Sequence, residues 1–111
     1  MQLSRCTTVE GNLAIVDLRD EETIYAGNRF MVYALHPETN ISMHVMWGKQ
    51  RQNIVMAVGK SIFNRSSQTD IGTLLLRYGG GGHANAGTCQ VAEREAERVR
   101  YELVRRITAD G

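Results

Sequence analysis

With 111 residues, 42% of them hydrophobic and 23% charged, the chain fits one domain of ordinary globular composition, which excludes disordered and collagen-like classes. Thirteen Lys and Arg against twelve Asp and Glu give a formal net charge of +1, too balanced for a large sequence-independent nucleic-acid footprint. No apolar run approaches the ~20 residues of a membrane span. The N-terminal stretch MQLSRCTTVEG has no apolar signal core, and Cys6 and Cys89 suggest neither a disulfide framework nor a metal pattern. A cytoplasmic protein with reduced thiols is the expectation.

In chain order, Gln2 to Val9 reads as polar and loosely β-like, Glu10-Gly11-Asn12 as a turn, and Leu13 to Leu18 as a short buried strand. Asn28 is placed to cap a helix from Arg29 to about His36, with Phe30, Met31, Ala34 and Leu35 inward and Pro37 ending it. Ile41 to Trp47 alternates with the period of a half-buried strand, and Asn53 to Gly59 is its partner across a polar hairpin loop, Gly48 to Gln52. Lys60 to Thr69 is irregular and polar. Ile71, Leu74, Leu75 and Tyr78 predict a helix over Asp70–Tyr78, capped by Thr69 or Asp70. Thr88 to Val91 reads as a strand, and Ala92 to about Thr108 as the longest helix, with Ala92, Ala96, Val99, Leu103 and Ile107 in one stripe. The sum is an α/β fold: a single compact domain with a mixed β-sheet of about five strands and helices packed on it.

The least ordinary feature is the run Gly79–Gly82, four of the chain's 11 glycines. One left-handed glycine often ends a helix, which accounts for Gly79. Gly80, Gly81 and Gly82 remain, each costing about 0.5–1 kcal/mol relative to alanine on ordering. Such a run suits a backbone that a phosphate approaches closely, with successive N–H groups forming an anion-binding concavity. The loop leaves the negative, C-terminal end of the predicted helix, so its positive potential must come from side chains. His83, inside the small-residue stretch Ala84-Asn85-Ala86-Gly87, is one source. Lys60 and Arg65 are the others, with Ser61, Asn64 and Asn85 adding neutral hydrogen-bonding groups.

Other sites are weaker. Gly59-Lys60-Ser61 mimics the end of a P-loop, but Ile54 stands where that motif needs glycine. The glycine run follows a helix and not a strand, against the dinucleotide fingerprint. The three histidines, two cysteines and four aspartates show no ligand spacing, no Asp-His-His string and no Asp-x-Asp pair. Trp47, at a strand end, is read as core or rim in preference to a base-stacking residue.

The stretches DIGTLLLRY, Asp70–Tyr78, and GGGGHANAG, Gly79–Gly87, together resemble the C-terminal DHH-associated domain of DHH-family phosphoesterases. That family includes RecJ-like exonucleases, oligoribonucleases and exopolyphosphatase-related proteins. The similarity runs from about Leu13 to the end, so residues 1–111 are read as one DHH-associated domain, with 1–12 a lead-in strand or hairpin and 13–111 the core. The resemblance implies an N-terminal catalytic DHH domain with a pair of manganese ions outside this chain, and no hydrolysis by the chain alone. It implies that Gly80, Gly81, Gly82 and His83 contact substrate phosphate. Substrates would be short oligonucleotides, phosphorylated nucleotides or polyphosphate. The family's arginine-containing segment is matched here by Ala57-Val58-Gly59-Lys60-Ser61, without arginine, which leaves Lys60, Asn64 and Arg65 as alternatives for its role. The other reading is a stand-alone nucleotide- or RNA-binding module, or a homodimerisation domain, as in alanyl-tRNA synthetase-like proteins.

Overall fold

The computed structural model describes residues 2–22, 28–62 and 64–111, with only the backbone of 28–30. In chain order the elements are α1 (Gln2–Cys6), β1 (Thr7–Glu10), β2 (Leu13–Asp17), α2 (Asn28–Leu35), β3 (Ile41–Trp47), β4 (Ile54–Lys60), α3 (Ile71–Leu76), β5 (Gly81–Gly82), β6 (Ala86–Val91) and α4 (Ala96–Asp110). The strands form one mixed six-stranded sheet in the order β1-β2-β3-β4-β6-β5. Only β2 and β3 pair in parallel, with Leu13 beside Ile41 and Asp17 beside Val45. A parallel pair needs a crossover between its strands, and α2 lies in that connection.

Strand alternation sorts the core into two clusters. One face sends Leu13, Ile15, Ile41, Met43, Val45, Ile54, Met56, Val58 and Cys89 against Ile71, Leu74 and Leu75 of α3 and Val99, Leu103 and Ile107 of α4. The other face sends Ala14, Val16 and Leu18 against Leu3 of α1 and Val32 and Tyr33 of α2. Strand β2 is therefore buried on both faces, which explains its unbroken apolar run. On the second face the described side chains of α1 and α2 pack on β2 and β3, and the Tyr33 hydroxyl reaches the Gly59 carbonyl of β4 (2.7 Å). Toward β6, Ala86, Thr88 and Gln90 are exposed and Val55, Ala57 and Gly59 half-buried.

Four expectations need correction. Gln2–Cys6 is a helix, not β-like; so short a helix is not stable alone, and it forms because Leu3 docks into the second cluster. In α2 the inner residues are Val32 (0% exposed) and Tyr33 (7%), while Met31 (49%) and Leu35 (41%) face outward and Ala34 is exposed. Asn28 and Phe30 lie outside the described side chains. Ala92 is exposed and precedes a 3₁₀ turn, Glu93–Glu95, so the long helix starts at Ala96. A sixth strand, Gly81–Gly82, escaped the sequence because two glycines carry no side-chain alternation, and β6 begins at Ala86 instead of Thr88. The Asp70 cap holds: its carboxylate accepts from the Thr73 N–H (3.1 Å).

Candidate functional site: a glycine hairpin folded back on its own helix

The four glycines divide into three with a structural task and one without. Gly79, at φ +78°, ends α3: its N–H donates to the Leu76 carbonyl (3.2 Å) and the Gly80 N–H to that of Leu75 (3.0 Å). These are the two bonds of a Schellman cap. At Gly80 an added Cβ would stand 2.2 Å from the Thr88 carbonyl oxygen and 2.8 Å from the Cys89 Cα. At Gly82, φ is +146° and a Cβ would meet the Ala86 carbonyl oxygen at 2.4 Å. Outside the run, Gly72 and Gly87 are held by the same crowding, 2.7 Å from the Gly82 carbonyl and 2.5 Å from the Gly81 carbonyl. Within the run, Gly81 alone has neither positive φ nor any neighbour within 4 Å of an added Cβ.

The hairpin β5–β6 runs back along α3, so its tip, His83 to Asn85, reaches the N-terminal end of that helix. The Ile71 N–H donates to the Ala84 carbonyl (3.1 Å) and the Gly72 N–H to the His83 carbonyl (2.8 Å). This corrects the expectation that the loop lies only at the wrong helix end. Dipole-driven anion binding is still unavailable, because those N–H groups and that of Thr73 are already engaged. Two amides of the run expected to form an anion-binding concavity are already engaged: the Gly80 N–H donates to the Leu75 carbonyl and the His83 N–H to the Ala86 carbonyl (2.7 Å). Among the described residues, the amides of Ala84 and Asn85 donate to no acceptor in the chain. The glycines are the stem; the donors sit at the tip.

The segment after β4 is clamped to this tip at both ends. Lys60 donates its N–H to the Asn85 carbonyl (2.9 Å), and at Ile71 the chain enters α3 under the Ala84 carbonyl. Lys60 is the half-buried last residue of β4, opposite Ile41, and not part of the irregular loop. Ser61 is buried; its Oγ accepts from the Asn64 N–H (3.1 Å). The Asn64 Oδ1 accepts from the Ser66 hydroxyl (2.6 Å), and Asn40 Nδ2 donates to Ser66 Oγ (3.0 Å). Asn64 thus shapes the arc, and its oxygen is occupied. Arg65 rides exposed on that arc, and His83 and Asn85 are exposed at the tip. Among the described residues none forms an ion pair or side-chain hydrogen bond with the side chains of Lys60, Arg65 or His83. The structure therefore gathers Lys60, Ser61, Asn64, His83 and Asn85 at one end of the sheet, with Arg65 beside them, and assigns Gly80 and Gly82 to packing. The amides of Ala84 and Asn85 were not found from sequence, since nothing there separates a paired N–H from an unpaired one.

Among the described residues no group of three or more His, Cys, Asp or Glu could hold a metal ion. A groove of about 510 Å³ lies at the other end of α3, between Tyr78 and Arg98. Its charges satisfy one another: Glu102 accepts from the Tyr78 hydroxyl (2.9 Å) and pairs with Arg98 (3.1 Å).

No protein-family model matches the chain, and no curated protein matches it. Among solved structures it is similar to a pGpG-specific phosphodiesterase, PggH, from Vibrio cholerae, with 63% identity and a TM-score of 0.96 over 99% of this chain and 37% of that one. An exopolyphosphatase-related protein from Bacteroides fragilis matches at 15% identity and TM-score 0.68, over 97% of this chain and 34% of that one. The C-Ala domain of Aquifex aeolicus alanyl-tRNA synthetase shares the fold at 16% identity and TM-score 0.54, over 92% of this chain and 97% of that one. The fold occurs in more than one setting. The chain belongs to the DHH family of phosphoesterases, as their DHH-associated domain. It spans about a third of the length of the two phosphoesterase-related structures it matches.

Proposed function

We propose that this chain is the substrate-binding domain of a longer DHH-family phosphoesterase acting on very short oligonucleotides, pGpG-like dinucleotides first among them. The observation that carries the reading is the 63% identity, over 99% of this chain, to a protein described as a pGpG-specific phosphodiesterase. The tip supports it physically. Two amides, at Ala84 and Asn85, donate to no described acceptor, His83 adjoins them, and Lys60, five residues before Arg65, is bonded to Asn85; the side chains of His83, Lys60 and Arg65 have no acidic partner among the described residues. An anion of phosphate size fits that chemistry. The catalytic DHH domain is its partner in the longer protein, and the manganese ions belong there. No described helix is long and apolar enough to cross a membrane.

An NMR titration of the chain with pGpG tests this. The amides of Gly81, His83, Ala84 and Asn85 are expected to move, with Arg65. Affinity is expected to saturate at two or three nucleotides. Shifts confined elsewhere refute the site, and affinity that keeps rising with oligonucleotide length favours the RNA-binding module instead.

A further inference from the structure

We propose that Asn40 is a positioning residue for the anion site: through Ser66 it holds the Asn64 amide with its oxygen consumed and its NH2 group left to donate to a substrate phosphate oxygen. This rests on the proposed phosphate site and adds what orders the arc beside the tip.

An asparagine amide has two ends of like shape and opposite polarity: the oxygen only accepts and the NH2 group only donates. Beside an anion the oxygen repels, so a neutral amide serves a phosphate only if something holds it the right way round. Here a backbone group dictates the direction. The Ser66 N–H can only donate, and it meets the Asn64 side chain at 3.2 Å, so the atom there is Oδ1. The Ser66 hydroxyl donates its one proton to the same oxygen (2.6 Å). Toward Asn40 that hydroxyl can therefore only accept, and Asn40 presents Nδ2 to it (3.0 Å). The other end of Asn40 is then Oδ1, which accepts from Asn12 Nδ2 (2.8 Å). Asn12, Asn40, Ser66 and Asn64 form a one-way chain of hydrogen bonds, each fixing the sense of the next.

Asn40 is a firm anchor for this chain. It is buried, at 6% exposure. Its side chain is used at both ends, its N–H donates to the Asn12 carbonyl (3.0 Å), and its carbonyl accepts from the Ser61 N–H (2.9 Å). It thereby ties together the turn before β2, the start of β3 and the arc after β4. At the far end of the chain Asn64 is half-buried, and its own N–H is fixed on Ser61 Oγ (3.1 Å). Its Nδ2 donates to no acceptor among the described residues. This donor stands between Lys60 and Arg65 in the chain, and no acidic residue occurs from 60 to 69. Lys60 in turn is bonded through its N–H to the Asn85 carbonyl of the tip (2.9 Å). A hydrogen bond to a charged phosphate oxygen is stronger than one between neutral groups, so the orientation of this one amide bears on affinity.

The test titrates pGpG into the ¹⁵N-labelled chain at a temperature where every variant is folded. It reads the Asn64 side-chain NH2 together with the amides of Ala84 and Asn85, and all three are expected to move. Asn64→Ala should weaken binding about tenfold, and Asn40→Ala and Ser66→Ala about fivefold each. Ser66→Thr keeps a hydroxyl and should bind within about twofold of the parent. Ser66→Ala also leaves the buried Asn40 amide without its acceptor and should melt lower, as it would if the tie were merely structural. Coupling tells the two roles apart. In the Asn64→Ala background, Ser66→Ala and Asn40→Ala should weaken binding no further, whereas a structural tie would show its full loss again. An Asn64 NH2 that stays still while the tip amides move, an Asn64→Ala variant that binds as the parent does, or losses that repeat in full without Asn64 overturn the role of Asn40 and leave the tip intact. If neither the tip amides nor Asn64 respond, the phosphate site falls and the role of Asn40 with it.

Discussion

Replacing Gly80 by alanine separates the packing glycines from Gly81. The new Cβ would stand 2.2 Å from the Thr88 carbonyl oxygen, 2.7 Å from the Cys89 Cβ and 2.8 Å from the Cys89 Cα. Comfortable carbon contacts begin near 3.5 Å, so the turn must retreat from β6 by about 1 Å. Retreat is hard on both sides. Thr88 is paired with Ala57 in the β4–β6 ladder and Cys89 is buried in the main core, while the Gly80 N–H closes the cap of α3 at Leu75. Overpacking of this kind costs about 1–3 kcal/mol, and a weakened cap bond adds about 1 kcal/mol. The entropy gained by replacing glycine returns about 0.4–1 kcal/mol. The net expectation is a loss of about 2–3 kcal/mol, a fall in Tm of about 10 °C for a domain of this size. Gly81→Ala has only the entropy term and should gain about 0.4–1 kcal/mol, or a few degrees. Thermal melts by circular dichroism with urea midpoints measure both. If the two variants come within about 0.5 kcal/mol of each other, the division of the glycines is wrong.

Two further outcomes concern titration. Burial pushes the Cys89 thiol up to about 11. The folded state then keeps its proton while the unfolded chain gives it up near the ordinary value of 9.0. Stability from this group is full below about pH 9 and is lost as pH rises from 9 to 11, by about 2–3 kcal/mol; Cys89→Ala should flatten that decline in urea midpoints, and an unchanged slope would show another group responsible. Burial raises the Asp17 carboxyl, but side-chain and backbone hydrogen bonds to Arg19, with bonds of 2.9 and 2.6 Å from the guanidinium, outweigh it and hold the group below the usual range. Its contribution is present above the ordinary carboxylate value and lost as pH falls through the lowered one. With Arg19 also pairing Glu97 (2.9 Å) at a part-exposed site, Arg19→Ala should cost about 1 kcal/mol or less at pH 7 and reduce the loss below pH 4, read from urea midpoints between pH 2 and 6.

Much of the architecture was legible in the residues. Ile41 to Trp47 alternates, Asp70 precedes a helical apolar stripe, and Val99, Leu103 and Ile107 recur at helical spacing; each local pattern survived folding because it agrees with what its neighbours bury. The N-terminal helix and the inner face of α2 were illegible, because both are set by docking onto the second cluster and not by their own periodicity. Gly81–Gly82 was illegible as a strand because glycine carries no pattern.

The glycine–histidine loop shows the same division most sharply. The amino-acid sequence alone singled out Gly79–His83 as unusual, offered Lys60 and Arg65 as companions, and showed which family the motif resembles. It read the loop as a row of phosphate-binding glycines at a helix C-terminus. Only the tertiary structure decided that the hairpin folds back to the other end of α3, that Gly80 and Gly82 are required by β6, and that Ala84 and Asn85 keep unengaged amides. The physical reason is that a residue's conformational freedom is written in its own side chain, whereas the company its N–H keeps, and the atom that comes closest to its Cα, belong to segments distant in the chain.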